Sequence, residues 1–257
     1  MAMACLFSLG IIMKKKNYNI LISSAISVVL ILTGIVVYIF ASPPTPRRVF
    51  ENAIRSVVEL RAFNLDASND YEVIDETFGT AVLIERNGYF ITNAHVVTYS
   101  RLGMILEFMQ YQIRFAFEDE FREVELVRFC SDLDLAILRA SNLPNRARVI
   151  RHGNSDRLHS GDTVYAVGNS QNNGLSISQG IVGIPLINIV YQNLIRKVIQ
   201  SDITITSGNS GGALLDRNGR LIGITTFRIR DTQGQVVFGI AYSIPLRIVN
   251  GFIDDVS

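Results

Sequence analysis

Gly208-Asn209-Ser210-Gly211-Gly212-Ala213-Leu214-Leu215-Asp216-Arg217-Asn218-Gly219-Arg220-Leu221-Ile222-Gly223-Ile224-Thr225-Thr226 reads as a glycine-flanked serine loop followed by two short apolar runs. Asn218-Gly219 tolerates positive φ, so it closes a tight hairpin between those runs. The glycines on either side of Ser210 let the backbone turn sharply and come close to a ligand, which leaves the serine at the exposed end of a strand. The same texture extends in both directions. Short β-rich runs occupy 79–84, 89–92, 105–108, 123–127, 135–138, 163–167, 176–184, 198–201 and 236–241, separated by Gly, Asn and Asp. Arg86-Asn87-Gly88 marks a further hairpin turn. About a dozen short strands without intervening long helices indicate a β-barrel or sandwich, not a βαβ sheet. Apolar spacing at 49, 50, 53, 54, 57 and 58 predicts a helix over 49–60 that can pass into extended chain at Val57-Val58. Apolar residues at 246, 248, 249, 252 and 253 after Pro245 predict a short C-terminal helix.

The 257 residues suit one large domain or two small ones. With 48% apolar and 18% charged residues, the chain has ample surface to bury, so disorder is excluded as the main state. Lys14-Lys15-Lys16 account for three of the 24 basic residues, which leaves 21 against 23 acids after residue 46. That balance argues against an electrostatic nucleic-acid binder. Cys5 and Cys130 flank the apolar N-terminal run and form no disulfide framework. Cys130 reads as a small buried hydrophobe.

Residues 17–46 carry no charge, and 20–41 are rich in Ile, Leu and Val. About 20 apolar residues span a ~30 Å hydrocarbon core. The run exceeds a signal-peptide core, and Ile39-Phe40-Ala41 is a poor cleavage site, so an uncleaved anchor is favoured over a removed leader. Lys14–Lys16 before the run favour a cytoplasmic N-terminus. The expected plan is a cytoplasmic stretch 1–19, a transmembrane signal anchor 20–42, a Pro-rich linker 43–49 and a folded domain 50–250 outside the cytoplasm.

Three stretches carry chemistry together. Thr92-Asn93-Ala94-His95-Val96-Val97 follows a strand, and Asp132-Leu133-Asp134 opens the apolar run 135–138. Each alone would be ordinary: a structural histidine, a turn aspartate, a Gly-Ser loop. Jointly, His95, Asp134 and Ser210 occur in the chain order of chymotrypsin-type proteases, unlike subtilisin-like or α/β-hydrolase enzymes. His152 and His159 lie among loop residues, and with His95 they show no metal-ligand spacing. The acidic run 118–120 reads as a solvated loop.

On these stretches, with 161–169, Gly180-Ile181-Val182, 200–212, 221–225 and 239–245, the sequence resembles the HtrA (Deg) family of trypsin-like serine proteases over about 50–249. One departure is Gly79-Thr80-Ala81, where the family carries Gly-Ser-Gly. A second is expected at the C-terminal side: many members of the family carry one or two PDZ domains after the protease domain, and with roughly ten residues left after the 239–245 match the expectation is a protease domain without one. The resemblance implies two packed antiparallel β-barrels of chymotrypsin type, the first over 50–145 and the second over 150–245. It implies a serine endopeptidase with His95, Asp134 and Ser210 as the catalytic triad. Gly208, Asn209 and Ser210 would form the oxyanion hole, and neither cofactor nor metal would be needed. Thr204 stands six residues before the serine, where a trypsin-like pocket has an acid. With Ile205, Thr225 and Thr226 it implies a small apolar pocket for Val, Ala, Ile or Leu. Unfolded or misfolded extracytoplasmic polypeptides are the implied substrates, and trimers built through Phe50 and Phe63 the implied assembly. The competing reading is a membrane-anchored, protease-like protein that binds peptides with latent or lost activity.

Overall fold

Several of the strand runs are apolar at every position, as in Leu135-Ala136-Ile137-Leu138, where a one-sided sheet would alternate. A computed structural model of the chain, which describes residues 26–34, 43–66, 72–191, 193–230, 233 and 235–254, accounts for this. Strands β1 (Val57–Asp66), β2 (Glu72–Leu83), β3 (Tyr89–Thr92), β6 (Gln110–Phe115), β7 (Arg122–Cys130) and β8 (Leu135–Arg139) close a six-stranded antiparallel barrel. A separate hairpin, β4 (Thr98–Arg101) and β5 (Met104–Glu107), projects from it. Strands β9 (Thr163–Asn169), β10 (Leu175–Tyr191), β11 (Leu194–Ser201), β12 (Ala213–Asp216), β13 (Leu221–Arg230) and β14 (Val236–Pro245) close a second barrel.

The two barrels share one apolar layer, and this is why their strands need both faces buried. Val58, Leu60, Ala81, Leu83, Phe90, Ala136 and Leu138 fill the first barrel. Their strand neighbours Val57, Val82, Ile91, Leu135 and Ile137 point the other way, against Tyr165, Val167, Ala213, Leu215 and Ile224 of the second. Val164, Ala166, Leu214 and Ile222 in turn fill the second barrel. Each fully buried Leu or Ile contributes about 1.5–3 kcal/mol, so an interleaved layer of this kind holds the two barrels in one arrangement.

Helices close the ends of the shared layer. Helix α1 spans Pro46–Ala53, earlier and shorter than the apolar spacing predicts. Thr45 caps it by accepting the Arg48 amide, and Pro46 occupies the first turn, where no amide partner is needed. The chain is thus already helical within the stretch read as linker. The helix gives way because Val57-Val58 enter β1, where the β-branched side chains pack on both faces of the sheet. A single helical turn, α2 (Ala94–Val97), follows β3. The C-terminal helix α3 (Leu246–Asp254) buries Leu246, Val249 and Phe252 against the shared layer. Cys130 is partly buried against the same layer. His152 and His159 lie on exposed loops.

Residues Pro44–Ser257 form one compact unit that holds all three apolar clusters. Residues 26–34 are helical, and most of the stretch expected as an anchor, 20–42, lies outside the described residues. Among the described residues no helix is long and apolar enough to cross a membrane.

Candidate active site

β3 runs into α2 at Asn93, and the single turn splits its side chains. Ala94, Val96 and Val97 enter the core, while the His95 ring faces outward with about half its surface exposed. Asn93 does not cap the turn. Its Nδ2 donates to the Asp134 carbonyl (2.8 Å), and its Oδ1 accepts the Gly211 amide (2.7 Å). One buried amide thereby ties together the histidine turn, the aspartate turn and the serine loop.

Asp134 sits in the turn that opens β8, in the left-handed region (φ +55°), with its amide bonded to the Ser131 carbonyl. This conformation carries the carboxylate under His95. Asp134 Oδ1 accepts His95 Nδ1–H (2.9 Å) and the His95 backbone amide (3.1 Å). Oδ2 lies 3.0 Å from Nδ1 and accepts the Thr226 hydroxyl (2.6 Å). Burial alone would raise the Asp134 pKa, but the bonds from His95 and Thr226 and the charge of the imidazolium outweigh it and hold the value below the ordinary one. An ionised carboxylate only accepts, so Nδ1 is a donor, and in the neutral ring it is Nε2 that has the lone pair.

Ser210 lies between Gly208 (φ +88°) and Gly211 (φ +83°). Any Cβ at Gly208 would stand 2.0 Å from the Asn169 carbonyl, so only glycine fits. Ser210 Oγ donates to the Thr226 carbonyl (3.0 Å), and the Ser210 carbonyl accepts the Thr80 amide (2.9 Å). The structure thus joins His95 to Asp134 directly. Ser210 is joined to them through Thr226, whose hydroxyl holds the carboxylate and whose carbonyl holds the serine. Among the described residues the Gly208 and Ser210 amides have no acceptor, and they flank Asn209, whose carbonyl takes the Thr225 hydroxyl (2.6 Å).

The residues expected to shape a specificity pocket separate. Thr204 is exposed, and its carbonyl accepts the Ser178 hydroxyl. Ile205 is buried in the interior of the second barrel. The Thr225 and Thr226 hydroxyls are occupied by Asn209 and Asp134. Beside the serine loop, the Ser170 and Thr206 hydroxyls share a hydrogen bond, and the Gln171 amide donates to the Ser207 carbonyl. Phe227, next to Thr226, stacks on Tyr191 from the β10–β11 hairpin (3.9 Å between centroids, 11° between planes).

Two supports of the site escape a reading of the sequence. Thr80 is fully buried in β2; its hydroxyl donates to the Gly208 carbonyl (2.7 Å) and accepts the Asn169 amide (2.9 Å). Its carbonyl accepts the Thr92 hydroxyl. Asn93 is the second. Thr80 stands at the departure Gly79-Thr80-Ala81 and Asn93 within the histidine stretch, but the Thr80 hydroxyl meets Asn169 and Gly208 across 89 and 128 residues and Asn93 meets Asp134 and Gly211 across 41 and 118, so no local pattern announces the bonds.

Residues 79–224 match the model of the trypsin-like peptidase domain. The serine endoprotease DegS of Haemophilus influenzae is 34% identical over 211 residues, 78% of this chain and 58% of that protein. DegS of Escherichia coli K12 is 32% identical over 206 residues, 76% of this chain and 52% of that protein. The chain therefore spans just over half the length of these curated relatives. The periplasmic pH-dependent serine endoprotease DegQ of Escherichia coli K12 is 34% identical over 171 residues, 66% of this chain and 35% of that protein. Among solved structures, the HtrA-type protease AlgW with a tripeptide superposes with a TM-score of 0.69 at 27% identity, covering 83% of this chain and 64% of that one.

Proposed function

The chain belongs to the trypsin-like peptidase family and carries a serine protease domain, and from that premise we propose that it is an endopeptidase working through Ser210, His95 and Asp134. The observation that carries the reading is the Asp134 carboxylate gripping His95 Nδ1 at 2.9–3.0 Å while Thr226 links the same carboxylate to Ser210. Asp134 holds the ring in the tautomer whose Nε2 accepts a proton. Ser210 Oγ turns from the Thr226 carbonyl toward Nε2 and attacks the peptide carbonyl as His95 takes its proton. The hydrogen bond given up is worth only about 1 kcal/mol net. Asp134 then stabilises the imidazolium, which returns the proton to the leaving amine. The amides flanking Asn209, those of Gly208 and Ser210, stabilise the oxyanion, each such donor being worth about 3–4 kcal/mol. Water hydrolyses the acyl-enzyme, and no cofactor enters.

Substrates are unfolded or misfolded polypeptides outside the cytoplasm, in keeping with relatives named as periplasmic endoproteases. Thr204 brings no acid to the place six residues before the serine, so small aliphatic residues precede the cut. Residues 20–42 anchor the chain in a membrane with the domain on the outer side. The domains assemble as trimers.

The Ser210–Thr226 bond favours one refinement: a latent resting state in which the serine must be turned before it reacts. A fluorophosphonate probe tests both readings. Wild type should label and Ser210→Ala should not, with labelling faster when an unfolded substrate is added. An unlabelled wild type, with or without substrate, would favour the peptide-binding alternative.

A further inference from the structure

Charge is unevenly divided over the domain. Three segments, 46–56, 144–153 and 216–221, hold eight arginines and two acids. The remainder of 47–257 is left with 13 basic and 21 acidic residues of the 21 and 23. These segments meet in space. The Arg148 amide donates to the Arg55 carbonyl (2.8 Å), and the Leu221 amide to the Arg151 carbonyl (2.8 Å). A Cβ on Gly219 would touch Val49 of α1 at 3.5 Å, and one on Gly153 would lie 3.2 Å from the Arg220 Cβ. One face, centred on α1, therefore collects the positive charge of a domain that is otherwise acidic.

Little of this charge is neutralised. Arg47 pairs with Glu51, and the Asp216 carboxylate is engaged by the amides of its own turn. Arg146 lies over the Phe117 ring. Arg48, Arg55, Arg148, Arg151, Arg217 and Arg220 are exposed and form no ion pair among the described residues. Six like charges held together cost self-repulsion, which an anionic partner relieves.

We propose that this face docks on the anionic phospholipid headgroups of a bilayer. The choice of partner rests on the reading of 20–42 as an anchor. Pro46 follows Ala41 by five residues, so a chain held in a bilayer to that point keeps α1 within roughly 17 Å of the surface. Guanidinium groups bind phosphate in a forked, two-bond geometry that lysine does not offer, and all eight basic residues of the face are arginine. Docking fixes the tilt of the domain, so Ser210 and His95 meet substrate in one orientation at the membrane.

Residues 44–257, which carry every apolar cluster of the domain, give a test that does not depend on whether 20–42 spans a membrane. Co-sedimentation is measured with vesicles of pure phosphatidylcholine and with vesicles containing phosphatidylglycerol. Binding should require phosphatidylglycerol and weaken steeply as salt rises. R55Q/R148Q/R217Q should lower affinity by about 100-fold, at about fivefold per charge removed. R101Q on the β4–β5 hairpin should leave it unchanged. Near-ultraviolet dichroism and fluorophosphonate labelling check that the triple variant is folded. If that variant misfolds, the lipid and salt dependence of the wild type still decide. Equal binding to both vesicles, no binding to either, or wild-type affinity in a folded triple variant would overturn the proposal. Carbonate extraction of the full chain tests the anchor separately.

Discussion

Thr226 is a single residue with two duties, one from its side chain and one from its backbone. Its hydroxyl donates to Asp134 Oδ2, and its carbonyl accepts Ser210 Oγ–H. With the two bonds from His95, this donor keeps the buried Asp134 ionised. The consequence for stability has a definite sign. A carboxyl whose pKa is lower in the folded than in the unfolded chain adds stability above the unfolded value, near 3.9, and loses it as pH falls through the folded value. Asp134→Asn should therefore lower Tm at neutral pH. The gap from wild type should close below about pH 4 as the wild-type carboxylate takes up its proton. Melting curves by circular dichroism from neutral to acidic pH check this. A gap that stays constant through the acid range would show that the carboxylate charge does not hold this turn.

Among the elements, β2 links the barrels most directly. It belongs to the first barrel, yet Thr80 supports the serine loop of the second through its amide and hydroxyl. Thr80→Val removes the hydroxyl at similar volume and leaves the Gly208 carbonyl and Asn169 amide without their partner. Each buried orphan costs about 1–3 kcal/mol. At about 2–4 °C per kcal/mol for a domain of this size, Tm should fall by on the order of 10 °C. Hydrolysis of a peptide should fall with it, because Gly208 carries one of the two free amides. Thr80→Ser keeps the hydroxyl and should behave nearly as wild type. If Thr80→Val melts and cleaves like wild type, β2 does not support the loop. Helix α1 shows how an element's limits depend on tertiary contacts. Its start is set locally by Thr45 and Pro46, but its end is set by β1, where Val57 and Val58 reach different clusters.

At the scale of the whole molecule, the question is which apolar residues are left for assembly. Phe63, one of the two rings nominated for a trimer, is only 6% exposed and has the Arg61 guanidinium over its face. Phe50 is partly buried against the shared layer. Truncating a buried Phe costs about 3–5 kcal/mol. Phe63→Ala should therefore lose folded protein before it yields folded monomers. Light scattering and circular dichroism on residues 44–257 distinguish the outcomes. A folded, monomeric Phe63→Ala beside a trimeric wild type would return the ring to the subunit contact.

The glycine-flanked serine, the hairpin turns, the strand runs and the order His95, Asp134, Ser210 were legible because each is local: turn chemistry and apolar pattern act over a few residues. The family and its barrel fold followed from several such stretches together. Which residues hold the site was decided only by tertiary structure. Thr80, Asn93 and Thr226 are unremarkable in their own segments. They matter because closing two barrels brings together buried donors and acceptors from distant parts of the chain, and a buried polar group must find a partner. Ile205 shows the same limit in reverse. Its place before the serine suggests a pocket wall, but the fold puts it in the interior of the second barrel, where apolar contact on all sides fixes its position. The arginines around α1 are scattered over three segments of ordinary composition, and only tertiary contacts (the Arg148–Arg55 and Leu221–Arg151 backbone bonds and the approach of Gly219 to Val49) make one charged face of them.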